Sequence, residues 1–282
     1  MNETIVVGVT DARSSRRAVD WAIGRAADRH DRHDRILLVS VVGGAVGVVG
    51  EGAVLDEAVR RADVLLAERA GQARAAGVPV ATRIARGDPT RELIDATRES
   101  ALLVLGSDYR GPDSRPARGP HGIRTVAGAH CTVVVIPDLD LFGRSGIVVG
   151  VDGSAVSEAA IAFAAAEADR TNESLTAISA WTTMPLPFEM KTYPREYLQK
   201  MQSLTEESLA ISLAGLPTDY PDLEVRRVVE RGYPAHVINR RAASARLTVV
   251  GTHGQGPLAR FLLGSVSQHV LARLAAPTAV VR

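Results

Sequence analysis

Short runs rich in valine, isoleucine and leucine alternate along this chain with longer stretches in which apolar residues recur every three or four positions. The first kind suits strands buried on both faces, the second amphipathic helices. The series is clearest from residue 147 onward. "IVVGV" (147–151) reads as a strand, and a helix follows from about Val156, with Ala160, Phe163, Ala164 and Glu167 at helical spacing. "SLTAISAW" (174–181) is a second strand, and a long helix over roughly 195–214 stops near Gly215 and Pro217. "LEVRRVVE" (223–230) alternates as a third strand. "PAHVINRRAAS" (234–244) is a short helix with proline near its start, where a missing N–H costs nothing. "LTVVG" (247–251) is the fourth strand, 265–274 the last helix and "TAVVR" (278–282) the last strand.

The first half repeats this pattern. "TIVVGVTDARSSRRAVDWA" near the start answers to "GIVVGVDGSAVSEAAIAFA", and Trp21 takes the place of Phe163 as a core position. "RGDPTRELI" at 86 answers to "RGYPAHVIN" at 231, and "LLVLGSDYRGP" at 102 to "LTVVGTHGQGP" at 247. Matched blocks in one order point to a tandem duplication, with a junction in "PDLDLFGRSG" (137–146). Domains over 1–140 and 146–282 are expected. Strands alternating with helices imply parallel crossovers, so each domain should be an open, doubly wound α/β sheet of Rossmann-like type. Such sheets bind ligands beyond the carboxyl ends of their strands, where strand order reverses.

The stretch "GTHGQGPLARFLLGS" (251–265) follows the fourth strand and should lie there. Its spacing is G-x2-G-x9-G-S. Glycines permit close backbone approach and positive φ, and a helix N-terminus offers unpaired N–H groups with partial positive charge. Ser265 adds a hydroxyl, so the stretch could cradle a phosphate. Ser265-x-x-Gln268 also fits a capping box, which would explain the serine without any ligand. The residues alone leave both readings open. A P-loop is absent, and the lysines of the chain are Lys191 and Lys200, both after the second strand of the second half. Any phosphate would therefore rest mainly on backbone N–H groups. Arg260 in the spacer is the nearest cation.

Composition narrows the classes further. A net charge of +1 with interspersed signs gives no electrostatic footprint for nucleic acid or an anionic membrane. The single cysteine, Cys131, allows no intrachain disulfide, which fits a reducing cytoplasm. No signal segment or membrane span is read from the sequence. His30 and His33 in "RHDRHDR" read as a solvated helix end rather than as metal ligands.

The glycine pattern, "VGVDGSAVS" (149–157) and "RGYPAHVI" (231–238) together resemble the universal stress protein family in its tandem, nucleotide-binding form. The resemblance implies Rossmann-like domains, similar to the adenine nucleotide alpha-hydrolase fold, that hold ATP without conventional ATPase activity. It implies that Asp152 faces the ribose or a phosphate-bound magnesium ion and that Ala180 lines the adenine pocket. Val250 and Gly251 would border ribose and phosphates, and His253 and Gly254 would flank the phosphate chain. Gly264, Ser265 and Val266 would receive the phosphates at the helix start. The reading that follows is an ATP-binding stress-response protein, with no catalytic residue assigned. Occupancy would order the 252–263 loop and alter a partner surface. The alternatives are a nucleotide-independent interaction or dimerisation protein and a slow ATPase. The family also pairs its last strands across a two-fold axis, which a tandem chain could reproduce internally as a pseudo-dimer, with a homodimer as the larger assembly.

The matching stretch in the first half, "GSDYRGPDSRPARGP" (106–120), departs from this pattern. Tyr109 replaces the second glycine, where positive φ would be costly, and Pro120 replaces the serine. Thr10 stands where Asp152 does, with Asp11 displaced by one. Only the second domain is expected to bind ATP; anion binding by Arg110, Arg115 and Arg118 is the alternative use of the first. Isothermal calorimetry should therefore give about one nucleotide per chain, and two equivalent sites would contradict it.

Overall fold

The computed structural model describes residues 3–27, 34–43, 51–111, 120–183, 192–254 and 263–282. The chain divides into two compact units, Met1–Asp140 and Leu141–Arg282. His30, His33, Lys191 and the greater part of "VSVVGGAVGVVG" lie outside the described residues.

In the first unit the strands are β1 (Thr4–Gly8), β2 (Arg35–Val42), β3 (Val80–Arg86), β4 (Leu102–Ser107) and β5 (Thr132–Pro137). Between them run α1 (Arg13–Ala27), α2 (Glu51–Ala75), α3 (Pro89–Ala96) and α4 (Pro120–Gly128). The strand order is β3-β2-β1-β4-β5, and every pairing within it is parallel.

The second unit repeats the plan with β6 (Ile147–Gly150), α5 (Ala155–Thr171), β7 (Leu175–Trp181), α6 (Arg195–Ser212) and α7 (Leu216–Asp219). It continues through β8 (Val225–Arg231), α8 (Pro234–Arg241), β9 (Leu247–Gly251), α9 (Ser265–Ala272) and β10 (Thr278–Val281). Its order is β8-β7-β6-β9-β10, again parallel throughout. In each unit the order reverses beside the first strand, between β1 and β4 and between β6 and β9. The expected α/β class and doubly wound topology are both present.

Burial explains the sequence pattern. The central strands are covered on both faces, so Ile5, Val6 and Val7 and their counterparts Ile147, Val148 and Val149 are all buried. The edge strands β3 and β8 bury a single residue between them, Ala85, which is why β8 can carry Arg226, Arg227 and Glu230 among its valines. Helix starts and stops are chemically marked. Asp88 caps α3 by accepting from Arg91 N at 2.9 Å, with Pro89 in the first turn. Ser154 caps α5 through Ser157 N at 3.2 Å, and Asn172 ends that helix in the left-handed region at φ 52°.

Several expectations need correction. Trp21 and Phe163 are half-buried rather than core residues. The 234–244 helix divides into α8 and a 3-10 turn (Ala242–Ser244), and the short α7 was not foreseen. Cys131, at the entrance to β5 where a small buried residue is expected, is half-exposed.

Glu167 sits on the apolar face of α5 and is buried with Arg170, whose guanidinium donates to Glu167 Oε2 at 2.7 Å. A charge removed from such a pair leaves its partner buried and uncompensated. Glu167→Ala should destabilise the protein by about 3 kcal/mol. Glu224→Ala, which breaks an exposed pair with Arg226, should change stability by about 1 kcal/mol or less. Chemical denaturation compares the two.

Candidate functional site

The site forms where strand order reverses in the second unit. The carboxyl ends of β6, β7 and β9 meet the start of α9 around a cavity of about 280 Å³. All nine residues singled out from the sequence line it: Asp152, Ala180, Val250, Gly251, His253, Gly254, Gly264, Ser265 and Val266. Residues from four separated segments thus reach one space. Gly150, Ser157, Ile178, Pro234, Ile238 and Ser267 also line it and were not foreseen. Proline 234 and Ile238 follow from the 231–238 block, and Ser267 from its distance of two residues from Ser265. Ser157 closes the 149–157 block, which was the signal that could have found it.

The glycines act here by leaving room rather than by unusual backbone angles. None of Gly251, Gly254 and Gly264 has positive φ. A side chain at Gly251 would come within 2.8 Å of Val156 and 3.2 Å of the His253 carbonyl. At Gly264 it would meet His253 Cα and the Thr252 carbonyl, each at 3.2 Å. At Gly254 it would overlap Asp152 Oδ2. The expectation that the second glycine needs positive φ is therefore corrected: Asp152 takes the space a Cβ would fill. Tyr109 in the first unit does not have positive φ either, since Asn172 is the only such non-glycine among the described residues. Tyr109 is buried, and the residue matching Asp152 there is Thr10.

Asp152 does satisfy turn chemistry. Its Oδ1 accepts from Ser154 N at 3.0 Å and from Ser154 Oγ at 2.6 Å, and Gly153 takes φ 76° in the same turn. Asp152 thereby fixes Ser154, which in turn caps α5. Its Oδ2 is the atom turned toward Gly254.

The capping box is not formed. Gly264 is the N-cap of α9, in extended conformation, and no side chain caps the helix. Ser265 is the first helical residue and is exposed, and its hydroxyl finds no hydrogen-bond partner among the described residues. Gln268 instead donates through Nε2 to the Leu263 carbonyl at 2.7 Å. The helix start is held from behind: Gly264 N donates to the Thr252 carbonyl at 2.7 Å, and Ser267 Oγ to the Gly251 carbonyl at 2.5 Å. The first-turn N–H groups of α9 thus receive no side-chain cap and carry the positive end of the helix dipole.

Among the described residues no lysine or arginine lines the cavity, and Asp152 is its only carboxylate. His253 Nδ1 is buried without a hydrogen-bond partner. At one side the walls are apolar, from Ile178, Ala180, Pro234 and Ile238. Beyond the wall, Arg241 and Arg240 donate to Glu230 and hold its carboxyl below the ordinary carboxylate range, tying β8 to the end of α8. No cluster of three potential metal ligands occurs among the described residues. Asp152 could supply one oxygen to a magnesium ion, whose other ligands would have to be water and ligand phosphates. Spacer residues 255–262, with Pro257, Leu258, Arg260, Phe261 and Leu262, lie outside the described residues, as do Arg115 and Arg118. No described helix is long and apolar enough to cross a membrane.

The shared strand order defines a Rossmann-like α/β domain present twice. The model of the universal stress protein family matches residues 1–137 and again 144–282, so the chain belongs to that family. It is 32% identical over 291 residues to Universal stress protein Rv2623 of Mycobacterium tuberculosis, covering 99% of this chain and 96% of that protein. It is 38% identical over 198 residues to Universal stress protein Rv2005c of the same species, a match spanning 69% of this chain and 66% of that protein. Among solved structures, a universal stress protein from Archaeoglobus fulgidus shares the fold with a TM-score of 0.71 at 19% identity, over 99% of this chain and 98% of that one.

The contact between Gly254 and Asp152 is directly testable. Gly254→Ala should lower stability by about 1–2 kcal/mol, the scale of a forced overlap. In an Asp152→Ala background the same substitution should cost almost nothing. Equal costs in both backgrounds, read from thermal melts, would show that the carboxylate does not set the need for glycine.

Proposed function

We propose that the second unit binds an adenine nucleotide, with ATP as the ligand, and that the first unit does not. The observation that carries this reading is the start of α9. An uncapped helix N-terminus, a free Ser265 hydroxyl and three close-packed glycines border one cavity. That arrangement suits phosphate oxygens, which backbone N–H groups can receive without a side-chain cation. The apolar side formed by Ile178, Ala180, Pro234 and Ile238 suits a base. Asp152 then stands between the two ends, where a ribose hydroxyl or a phosphate-bound magnesium ion would lie.

Holding is favoured over hydrolysis, because among the described residues the cavity offers one carboxylate, Asp152, and one of its oxygens is engaged on Ser154. In the first unit Thr10 cannot supply the carboxylate, and Pro120 opens α4 without an N–H to offer. The stress-response role belongs to the same proposal and draws on the names of the relatives.

Purified protein should carry adenine nucleotide detectable by mass spectrometry, or take it up on addition. Gly264→Ala combined with Ser265→Ala should abolish that binding while the melting temperature without nucleotide stays within a few degrees. Undiminished binding by the double variant would overturn the placement at α9.

A further inference from the structure

Seven large apolar side chains are exposed among the described residues, and four of them lie on the second helix of a unit: Val54 and Val64 on α2, Leu204 and Ile211 on α6. Single exposed apolar residues are ordinary on a protein surface. The pair on α6 is not scattered. Leu204 and Ile211 are seven residues apart, about two turns along one face. They are 47% and 70% exposed. The helix already has its inner face. Leu209 and Leu213 are buried, and Leu213 lies about two and a half turns from Leu204, hence on the opposite side. On that side Gln202 also accepts from Trp181 Nε1 at 2.8 Å. Packing α6 onto the sheet therefore makes little use of the outer pair.

These two side chains line a groove of about 450 Å³ along α6, together with Ser208 between them and with Gly153 and Glu158 from the start of α5. The groove shares no lining residue with the cavity at α9. Its charge is of one sign. Glu158 and Glu207 line it, no described lysine or arginine does, and neither glutamate has an ion-pair partner among the described residues. Glu158 has a reason in the fold, since the first turn of α5 favours a negative charge. Glu207, within α6, has no such reason. Lys200, one turn before Leu204, lies outside the lining, and from Met201 to Val225 the sequence carries five acidic residues and no lysine or arginine. The groove beside α2 in the first unit has both signs: Glu57, Arg60, Arg61 and Glu68 line it, and Glu57 pairs with both arginines. Charge is compensated there and left over here.

We infer that the groove between α5 and α6 of the second unit is a docking surface for a basic amphipathic helix of a partner protein. Apolar residues of that helix, spaced as Leu204 and Ile211 are, pack on this pair over the small Ser208, and lysine or arginine side chains on its flanks meet Glu158 and Glu207. Burial of the outer pair supplies the affinity, and the two carboxylates set the sign of the partner's charge. The inference does not rest on nucleotide binding.

The test uses the full chain and a fluorescent synthetic helix of about 18 residues, long enough to span the groove, with leucines on the same seven-residue spacing flanked by lysines. A second peptide carries glutamates at the lysine positions. Fluorescence anisotropy should show the lysine peptide bound and the glutamate peptide unbound, with binding weakened by salt. Leu204→Ser combined with Ile211→Ser should weaken binding about tenfold or more. The melting temperature of that variant should stay within a few degrees, because both side chains are exposed. Glu207→Gln should weaken binding about threefold. Val64→Ser, on the matching helix of the first unit, should leave it unchanged. Absence of binding, equal binding of the two peptides, or undiminished binding by the Leu204 and Ile211 double variant would overturn the inference. So would self-association of the wild-type chain that sedimentation shows lost in that variant, because the groove would then belong to a second copy.

Discussion

The site depends on how closely the fourth strand of each unit approaches the first helix. At the end of β9, Gly251 lies so near Val156 that any side chain would collide with it. At the end of β4, Gly106 meets the backbone of Ser14 and Ser15 still more closely. This backbone-to-helix contact draws the turn after the first strand against the loop after the fourth. Only then can Asp152, at one end of the chain segment, face Gly254 and α9, about a hundred residues later. Parallel topology brings these segments to one end of the sheet; the missing side chain brings them into contact.

On that shared frame the two units have diverged as sets of coupled positions. In the second, Asp152 requires the space that Gly254 leaves. In the first, Thr10 makes no such demand, and Tyr109 is accommodated at the corresponding place with an ordinary backbone angle and a buried side chain. Serine at the start of the last helix gives way to Pro120, which has no N–H to present. These differences concern one end of one sheet, while the strand cores of the two units remain alike in length and burial.

Much of this was legible in the sequence because it follows from periodicity. Strands buried on both faces give uninterrupted β-branched runs, and the repeated order of blocks revealed the duplication. Topology placed the 251–265 stretch at the carboxyl end of the sheet, while the resemblance to the universal stress protein family supplied Asp152, Ala180 and the other cavity residues as a set. What the pattern could not show was which backbone group each polar atom would find. Ser265-x-x-Gln268 has the letters of a capping box, yet Gly264 takes the cap position and Gln268 turns back to Leu263. The glycines suggested special φ angles, whereas Asp152 and Val156 impose the requirement by occupying space. Both outcomes turn on tertiary neighbours far away in the chain.

The uncapped start of α9 has a thermodynamic consequence. First-turn N–H groups that no side chain serves are a standing deficit in the folded state. Whatever anion takes them stabilises the native chain by mass action, in proportion to the logarithm of its free concentration over its dissociation constant. The unfolded chain offers no such cradle. On the nucleotide reading proposed above, the folded fraction of the second unit, and so its resistance to unfolding and proteolysis, would be linked to the supply of a small molecule outside it. A helix left without its cap would then turn a structural shortfall into a gauge of concentration.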